Sequence, residues 1–482
     1  MDTGARTKGQ DLVLNFVTSA YAVGVMSRLT GQAMSFVTVM VASRFLDLAE
    51  FGTFVLAWAA VVIANSLVFT GFYQAFLRSA DPDRDRDTIF WLIFSVGLIS
   101  ALVIGSIGWL AGGISSHAGQ AFCVLAPIPV LMSVNAWNEA QLVKAKRIRS
   151  ASIYVVLSEA CGLIVAIYCL TAGYGALSLI AARYTTVFVA IVLTTGLVGR
   201  RPRLRINRDT VLGCKTTVPP LWGATAMGLF SNYGTDFVMG AFLNPAAVGA
   251  YRGGARITMT MFDLVLQPLI MLSWSRFSSL ERAERPDLMR SAWVENMTLA
   301  AALFWPAILS VAMLAPAFVS VVFDETWLPA APIVAILAFS RIMSFLSALL
   351  EPTMICSGKP GIQLKIRFVG VVLLLATLLL FGRYSVEAAA VAHLVTSAVV
   401  GILSVAATVT VLGLNRRDLI GAFLPGLLLA GTCALVIAAT AQMRADMTNA
   451  MGLFTTIGLL LVVWGAAMVV GFQRGTLALP RP

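Results

Sequence analysis

Apolar stretches of about 20 residues, separated by short polar gaps rich in Arg and Lys, recur from one end of this 482-residue chain to the other. A helix needs roughly 20 mostly apolar residues to cross a hydrocarbon core of about 30 Å, so this recurrence predicts a polytopic, all-α integral membrane protein. Composition agrees, with 59% hydrophobic and 12% charged residues against the quarter or so that soluble domains carry as charge. Fourteen spans are predicted, at about 18–43, 52–73, 89–112, 119–140, 151–171, 176–197, 217–241, 250–274, 292–314, 330–355, 366–381, 386–412, 419–440 and 450–471.

Lys and Arg concentrate in cytoplasmic loops of membrane proteins, which orients the chain. With an inside N-terminus, 26 of the 34 basic residues fall in cytoplasmic segments, and both termini lie on that side. The net charge of +11 therefore reads as topology, not as a nucleic-acid surface. The N-terminus lacks a short apolar core followed by a small-residue cleavage site, so the first helix is expected to act as an uncleaved insertion signal. Six scattered cysteines, without CxxC spacing, read as membrane-buried thiols.

No loop exceeds about 20 residues, which leaves no room for a soluble catalytic domain. There is no GxxxxGK[ST] phosphate loop: Gly358-Lys359 is followed by Pro360. HExxH and GxSxG are absent, and His117 and His393 do not make a zinc site with these cysteines. Neither enzymatic activity nor a cofactor is expected.

Segment 41–54, VASRFLDLAEFGTF, aligns without gaps with 238–251, VMGAFLNPAAVGAY. The shared features are Phe-Leu, a turn former (Asp47 or Asn244), Ala, Gly and an aromatic. A second echo pairs Glu139 with Glu351 and Arg183 with His393. Two echoes in equivalent places of two six-helix blocks predict parallel repeats, as in alternating-access transporters. The expected organisation is a six-helix bundle over 1–200, a cytoplasmic linker over 201–217, a second pseudo-symmetric bundle over 218–413, a central cavity between them, and two peripheral helices within 414–482.

A charge at mid-bilayer costs some 2.5–3.5 kcal/mol or more, so intramembrane charges are functional candidates. Arg28, Glu159, Arg183, Asp236, Asp263, Arg341 and Glu351 fall inside or at the ends of predicted spans. Arg252, Arg256 and Asp263, spaced i, i+4, i+11, form one stripe on the eighth span, and Asn232 and Asp236 share a face of the seventh. Basic residues suit an anionic substrate such as a diphosphate, which guanidinium grips bidentately. The carboxylates could balance these arginines or carry a coupling ion. Glu139, Glu351 and Arg252, near span ends, could instead snorkel to the interface, and Glu159 and Arg183 could form a structural pair.

The basic N-terminal helix, ASRFLDLAEFGTFVLAWAAVV after the first span, GFYQAFLRSADPDRDR after the second and ICSGKPGIQLKIR after the tenth resemble the bacterial polysaccharide transporter (O-antigen flippase) family. That family belongs to the multidrug/oligosaccharidyl-lipid/polysaccharide exporter superfamily. The resemblance implies a flippase that moves undecaprenyl-diphosphate-linked oligosaccharide from the cytoplasmic to the periplasmic leaflet of the bacterial inner membrane. It implies a cationic cavity between two lobes of six helices, with the last two helices peripheral. It places Arg28, Arg252 and Arg256 as diphosphate contacts. Arg341, Asp236, Asp263 and Glu351 are assigned by helix position alone, and Glu159 joins them as a candidate cavity or coupling carboxylate. Implied partners are the lipid-linked oligosaccharide, membrane lipid and the polysaccharide polymerase and export machinery, with the transporter itself a monomer. The rival readings are an organic-cation exporter of the multidrug branch, usually with twelve helices and an acidic site, and a non-transporting scaffold of a glycan synthase.

Overall fold

The structure, a computed structural model, describes residues 20–475 and 477. It divides into two compact units, Met1–Leu229 and Phe230–Pro482. The first unit opens with α1 (Ala20–Ala42), α2 (Leu48–Val68), the short α3 (Phe72–Arg78) and α4 (Pro82–Leu110). It continues through α5 (His117–Leu125), α6 (Ile128–Lys144), α7 (Ile148–Thr171) and α8 (Leu177–Val198). The division falls inside α9 (Arg208–Phe242).

The second unit holds the end of α9, then α10 (Pro245–Arg282), α11 (Pro286–Met313), the short α12 (Ala315–Val322) and α13 (Ala331–Phe345). Next come α14 (Leu350–Cys356), α15 (Pro360–Thr377) and α16 (Val386–Leu412). The chain ends with α17 (Arg416–Ala439), the single turn α18 (Ala441–Ala445) and α19 (Asn449–Gln473).

Twelve helical stretches among the described residues are long and apolar enough to cross a membrane. They coincide with all the predicted spans except the first and the seventh, so twelve meet that standard where the sequence predicts fourteen. In the first, the described apolar helix is the shorter Thr30–Ala42. In the seventh, the span within α9 carries Pro219, Pro220, Asn232, Tyr233 and Asp236 among Gly, Thr and Ser residues, which dilutes its apolar character. That helix also runs unbroken through Pro219 and Pro220. A membrane helix tolerates such missing donors where neighbours satisfy the freed carbonyls.

The turn formers of the first sequence echo have a defined local role. Asp47 caps α2, accepting from the amides of Ala49 at 2.9 Å and Glu50 at 2.8 Å. Asn244 caps α10, accepting from the Ala247 amide at 2.9 Å. Each short side chain satisfies amides that the first turn of a helix leaves without partners. Several predicted spans are interrupted: α5 gives way to α6 at Ala126-Pro127, and residues 346–349 separate α13 from α14.

Between helices in lipid there is little hydrophobic drive, so close packing of small residues and interhelical hydrogen bonds must supply cohesion. In the second unit α11 and α17 meet at Gly426, where a Cβ would stand 2.7 Å from the Cβ of Ala301. Phe304, Phe345, Trp305 and Phe423 stack around that seam with ring centroids 5.2–5.8 Å apart. Trp464 of α19 donates to the Ala302 carbonyl at 3.0 Å, so both C-terminal helices pack on α11.

In the first unit, Trp137 and Ile93 are fully buried in the core. The stretch 200–207 is pinned to the start of α4: Trp91 donates to the Arg203 carbonyl at 3.0 Å, and Arg84 pairs with Asp209 at 2.6 Å. From Arg208 onward the stretch expected as a linker is already helical.

Candidate functional site

Only Leu243 and Asn244 separate α9 from α10, so a residue near the end of one helix faces a residue near the start of the other. Asp236 and Arg252 meet in this way. The Arg252 Nε donates to Asp236 Oδ2 at 2.6 Å, and Nη2 reaches the same oxygen. Nη2 also donates to the Asn232 carbonyl at 2.7 Å, and the guanidinium lies 4.4 Å above the Tyr233 ring. Asp236 has no exposed side-chain surface, and Arg252 only 13%. A carboxylate so buried is tenable because its partner is held from three sides by a carboxylate, a carbonyl and a ring face.

Around this pair other polar groups converge. Tyr251 lies 6.1 Å, ring to ring, from His393 of α16. Arg341 of α13 lies 5.6 Å above Phe262 of α10. Asp263 sits within electrostatic reach of both Arg341 and Arg256. Arg341 makes no ion pair among the described residues, whereas Arg252 is committed to Asp236. The cluster thus sets three guanidinium groups against two carboxylates, with contributions from α9, α10, α13 and α16.

A cavity of about 620 Å³ adjoins it, lined by Asn232, Phe262, Gln267, Trp274, Glu351 and Gln363 among others. Asn232 and Phe262 belong to both cluster and cavity. A second pocket in the same unit, of about 470 Å³, is almost wholly apolar and is lined by Met261, Leu264, Val265, Leu303, Phe318 and Trp464 among others. At 100° per residue, positions 261, 264 and 265 point some 150° away from 252, 256, 263, 267, 270 and 274. The stripe that carries Arg252, Arg256 and Asp263 thus continues into Gln267, Ile270 and Trp274, which line one pocket, while the opposite, apolar face of α10 lines the other.

The residues singled out from sequence separate into groups. Asp236, Arg252, Arg256, Asp263 and Arg341 come together in the second unit. Glu351 lies in the same unit at the cavity, paired with Arg367 at 3.3 Å, each about half exposed. Glu159 does not join them. In the first unit it meets Arg183 at 3.4 Å, and that guanidinium also reaches Ser35 at 3.3 Å and lies 4.9 Å above Trp58. The Arg28 side chain lies outside the described residues. Sequence reading missed Tyr233, Phe262, Trp274 and Gln363, apolar or neutral side chains carrying no charge signal. Their clue is spacing: Tyr233 stands three residues before Asp236, and Trp274 shares the stripe of Arg252 and Asp263. No grouping of His, Cys, Asp or Glu able to hold a metal occurs among the described residues.

Residues 41–332, more than half of the chain, match the family described as "Polysaccharide biosynthesis protein". The chain belongs to that family. A relative of this polysaccharide biosynthesis protein is the "Succinoglycan biosynthesis transport protein ExoT" of Rhizobium meliloti (strain 1021), 22% identical over 338 residues. That match takes in 67% of this chain and spans 66% of the relative's length, just short of two thirds. Among solved structures, "Lipid II flippase MurJ, inward closed conformation" is similar at a TM-score of 0.71 and 10% identity, covering 94% of this chain and 99% of that one. A multidrug resistance MATE family transporter of the MOP superfamily, in its inward-facing conformation, is similar at 0.62 and 13%, covering 80% and 94%. At such identities these likenesses establish the fold. The protein is thus a multi-pass polysaccharide biosynthesis protein, with twelve helices among the described residues long and apolar enough to cross a membrane and a fold like that of these two solved structures.

Proposed function

We propose that this transporter carries undecaprenyl-diphosphate-linked oligosaccharide from the cytoplasmic to the periplasmic leaflet of the bacterial inner membrane by alternating access. The observation that carries the reading is the two-faced helix α10. A lipid-linked glycan is an amphiphile with a long apolar chain, a dianionic diphosphate and a polar sugar, and α10 offers an arginine-rich polar face and an apolar one. Arg341, without an ion-pair partner among the described residues, is the group best placed to take a diphosphate oxygen, with Arg256 nearby on the polar stripe of α10. Asp236 holds Arg252 in place, and Asp263 tempers the local positive charge.

Two comparisons support this choice of cargo: one relative is named as a transport protein of succinoglycan biosynthesis, and a protein of like fold as a lipid II flippase. The proposal keeps fourteen spans, with α1 and α9 crossing the membrane as well, and both termini cytoplasmic, because that count places 26 of the 34 basic residues on the inner side.

Deleting the gene tests it. The expected result is accumulation of polyprenyl-diphosphate-linked glycan on the cytoplasmic side and loss of surface polysaccharide, rescued by the wild type and not by Arg341→Ala. Normal surface glycan together with greater sensitivity to cationic drugs would move the protein to the drug-export branch.

A further inference from the structure

The cavity beside the arginine cluster has a chemistry of its own. Its charged groups among the described residues, Glu351 and Arg367, already neutralise each other at 3.3 Å, and both side chains remain about half exposed. A phosphate would require a cation without a partner, and an organic cation a carboxylate without one. The space offers neither. What it does offer is a half-buried indole, Trp274, and the side-chain amides of Asn232 and Gln363, none of which makes a hydrogen bond among the described residues. Polar and apolar groups share its walls about equally, unlike the pocket on the other face of α10.

This combination matches one class of ligand. A pyranose ring has an apolar C–H face and a rim of hydroxyls, each both donor and acceptor. An aromatic plane receives the face. An amide, which donates and accepts in one plane, and a carboxylate–guanidinium pair receive the rim. The volume of about 620 Å³ lies within the range of small-molecule sites. Because Asn232 and Phe262 border both this space and the arginine cluster, a sugar seated here would have its anomeric end toward the cationic groups.

We infer that this cavity, floored by Trp274 and edged by Asn232, Gln363 and the Glu351–Arg367 pair, is a sugar-binding subsite for the first residues of the glycan, next to the diphosphate. The inference rests on the flippase reading above, and its test separates the two. The full-length protein is purified in detergent, and equilibrium binding is measured for two probes: undecaprenyl diphosphate without sugar, and the lipid-linked glycan extracted from the deletion strain. Wild type binds the glycan-bearing lipid about tenfold more tightly than the bare lipid. In Trp274→Ala and in Gln363→Ala that preference falls away, and Trp274→Phe keeps most of it.

Equal affinity of wild type for the two probes would overturn the subsite while leaving the flippase standing. A preference that survives in either alanine variant would overturn it as well. Should Trp274→Ala not fold, Gln363→Ala on the separate helix α15 decides the question. Absence of any lipid-linked glycan from the deletion strain, with no binding of bare undecaprenyl diphosphate, would bring down the function on which the subsite depends.

Discussion

Each unit holds one arginine between a carboxylate and an aromatic ring, yet the two assemblies differ in tightness and surroundings. In the first unit Arg183 touches Glu159 at 3.4 Å, lies 4.9 Å above Trp58, and both charged groups keep roughly a fifth of their side-chain surface exposed. In the second, Arg252 binds one oxygen of a fully buried Asp236 with two nitrogens and lies 4.4 Å above Tyr233. The two arginines are also not counterparts in the sequence echo, which pairs Arg183 with His393. His393 stands in the arginine cluster against Tyr251, and the ion pair of the second unit has been built from α9 and α10. Similar parts at different places point to different duties: the first pair ties helices together, and the second holds a cation still within the cluster of Arg256, Asp263 and Arg341.

The sharpest way to break this comparison is to remove each carboxylate. Asp236→Ala leaves a buried guanidinium without its counter-charge and is expected to cost about 3–5 kcal/mol of stability. Glu159→Ala removes a longer, partly solvated contact and is expected to cost about 1–2 kcal/mol. Thermal unfolding of the detergent-purified variants gives the order. The double variant Asp236→Ala/Arg252→Met should recover much of the loss, because no unpaired charge then remains. If the double variant is as unstable as Asp236→Ala alone, the pair is not what makes Asp236 critical.

Much of this was legible in the sequence, for physical reasons that also mark where legibility stops. Lipid demands long uninterrupted apolar runs, so twelve of the predicted spans reappear as helices able to cross a membrane. Asp47 and Asn244 stood out because a short polar side chain at a helix start satisfies backbone amides, and each does so. The stripe of Arg252, Arg256 and Asp263 was visible because helical periodicity fixes a common face. Pairing was visible only in part. Nothing local in the chain says that Arg252 turns back to Asp236; the pair of Glu159 and Arg183, which the sequence offered beside a cavity role for Glu159, does form, but its spacing did not decide between the two. Those choices depend on how helices distant in sequence rotate against one another. Neutral lining such as Trp274 and Gln363 was equally hidden, since apolar and amide side chains are ordinary in membrane helices.

The proposed flippase function separates the two units in a second way. Arg341 lacks an ion-pair partner among the described residues and is the group proposed to take the diphosphate, whereas Arg183 is occupied by Glu159 and Ser35. Hydrogen bonds to charged groups are worth about 1.5–3 kcal/mol, which corresponds to a loss of roughly 10- to 150-fold for Arg341→Ala in translocation of the lipid-linked glycan into protected leaflets of proteoliposomes. Arg183→Ala, at equal amounts of folded protein, should lose less than about threefold, the effect of a neighbouring packing change and no more. Arg341→Lys belongs between wild type and Arg341→Ala, because a lysine keeps the charge and loses the planar fork. Equal losses for Arg341→Ala and Arg183→Ala would show that both units contact the substrate.

The smallest expected effect concerns the two glutamates that the sequence echo pairs. Glu139 in the first unit accepts hydrogen bonds from the hydroxyls of half-buried Tyr73, at 3.2 Å, and of buried Tyr154, so its charge is held by two phenol donors. Glu351 in the second is 48% exposed and meets only an equally exposed Arg367 at 3.3 Å. Exposed pairs contribute about 0–1 kcal/mol, so Glu351→Gln should leave the unfolding temperature nearly unchanged. Glu139→Gln should lower it measurably, because an amide is a weaker acceptor for two phenol donors and brings two donors of its own into their place. The informative quantity is the same Glu351→Gln variant's preference for glycan-bearing over bare lipid. A side chain that does nothing for stability has no reason to matter to binding unless it touches the ligand. A weakened preference at unchanged stability therefore places Glu351 on the sugar, and an unchanged preference confines the sugar to Trp274 and the amides.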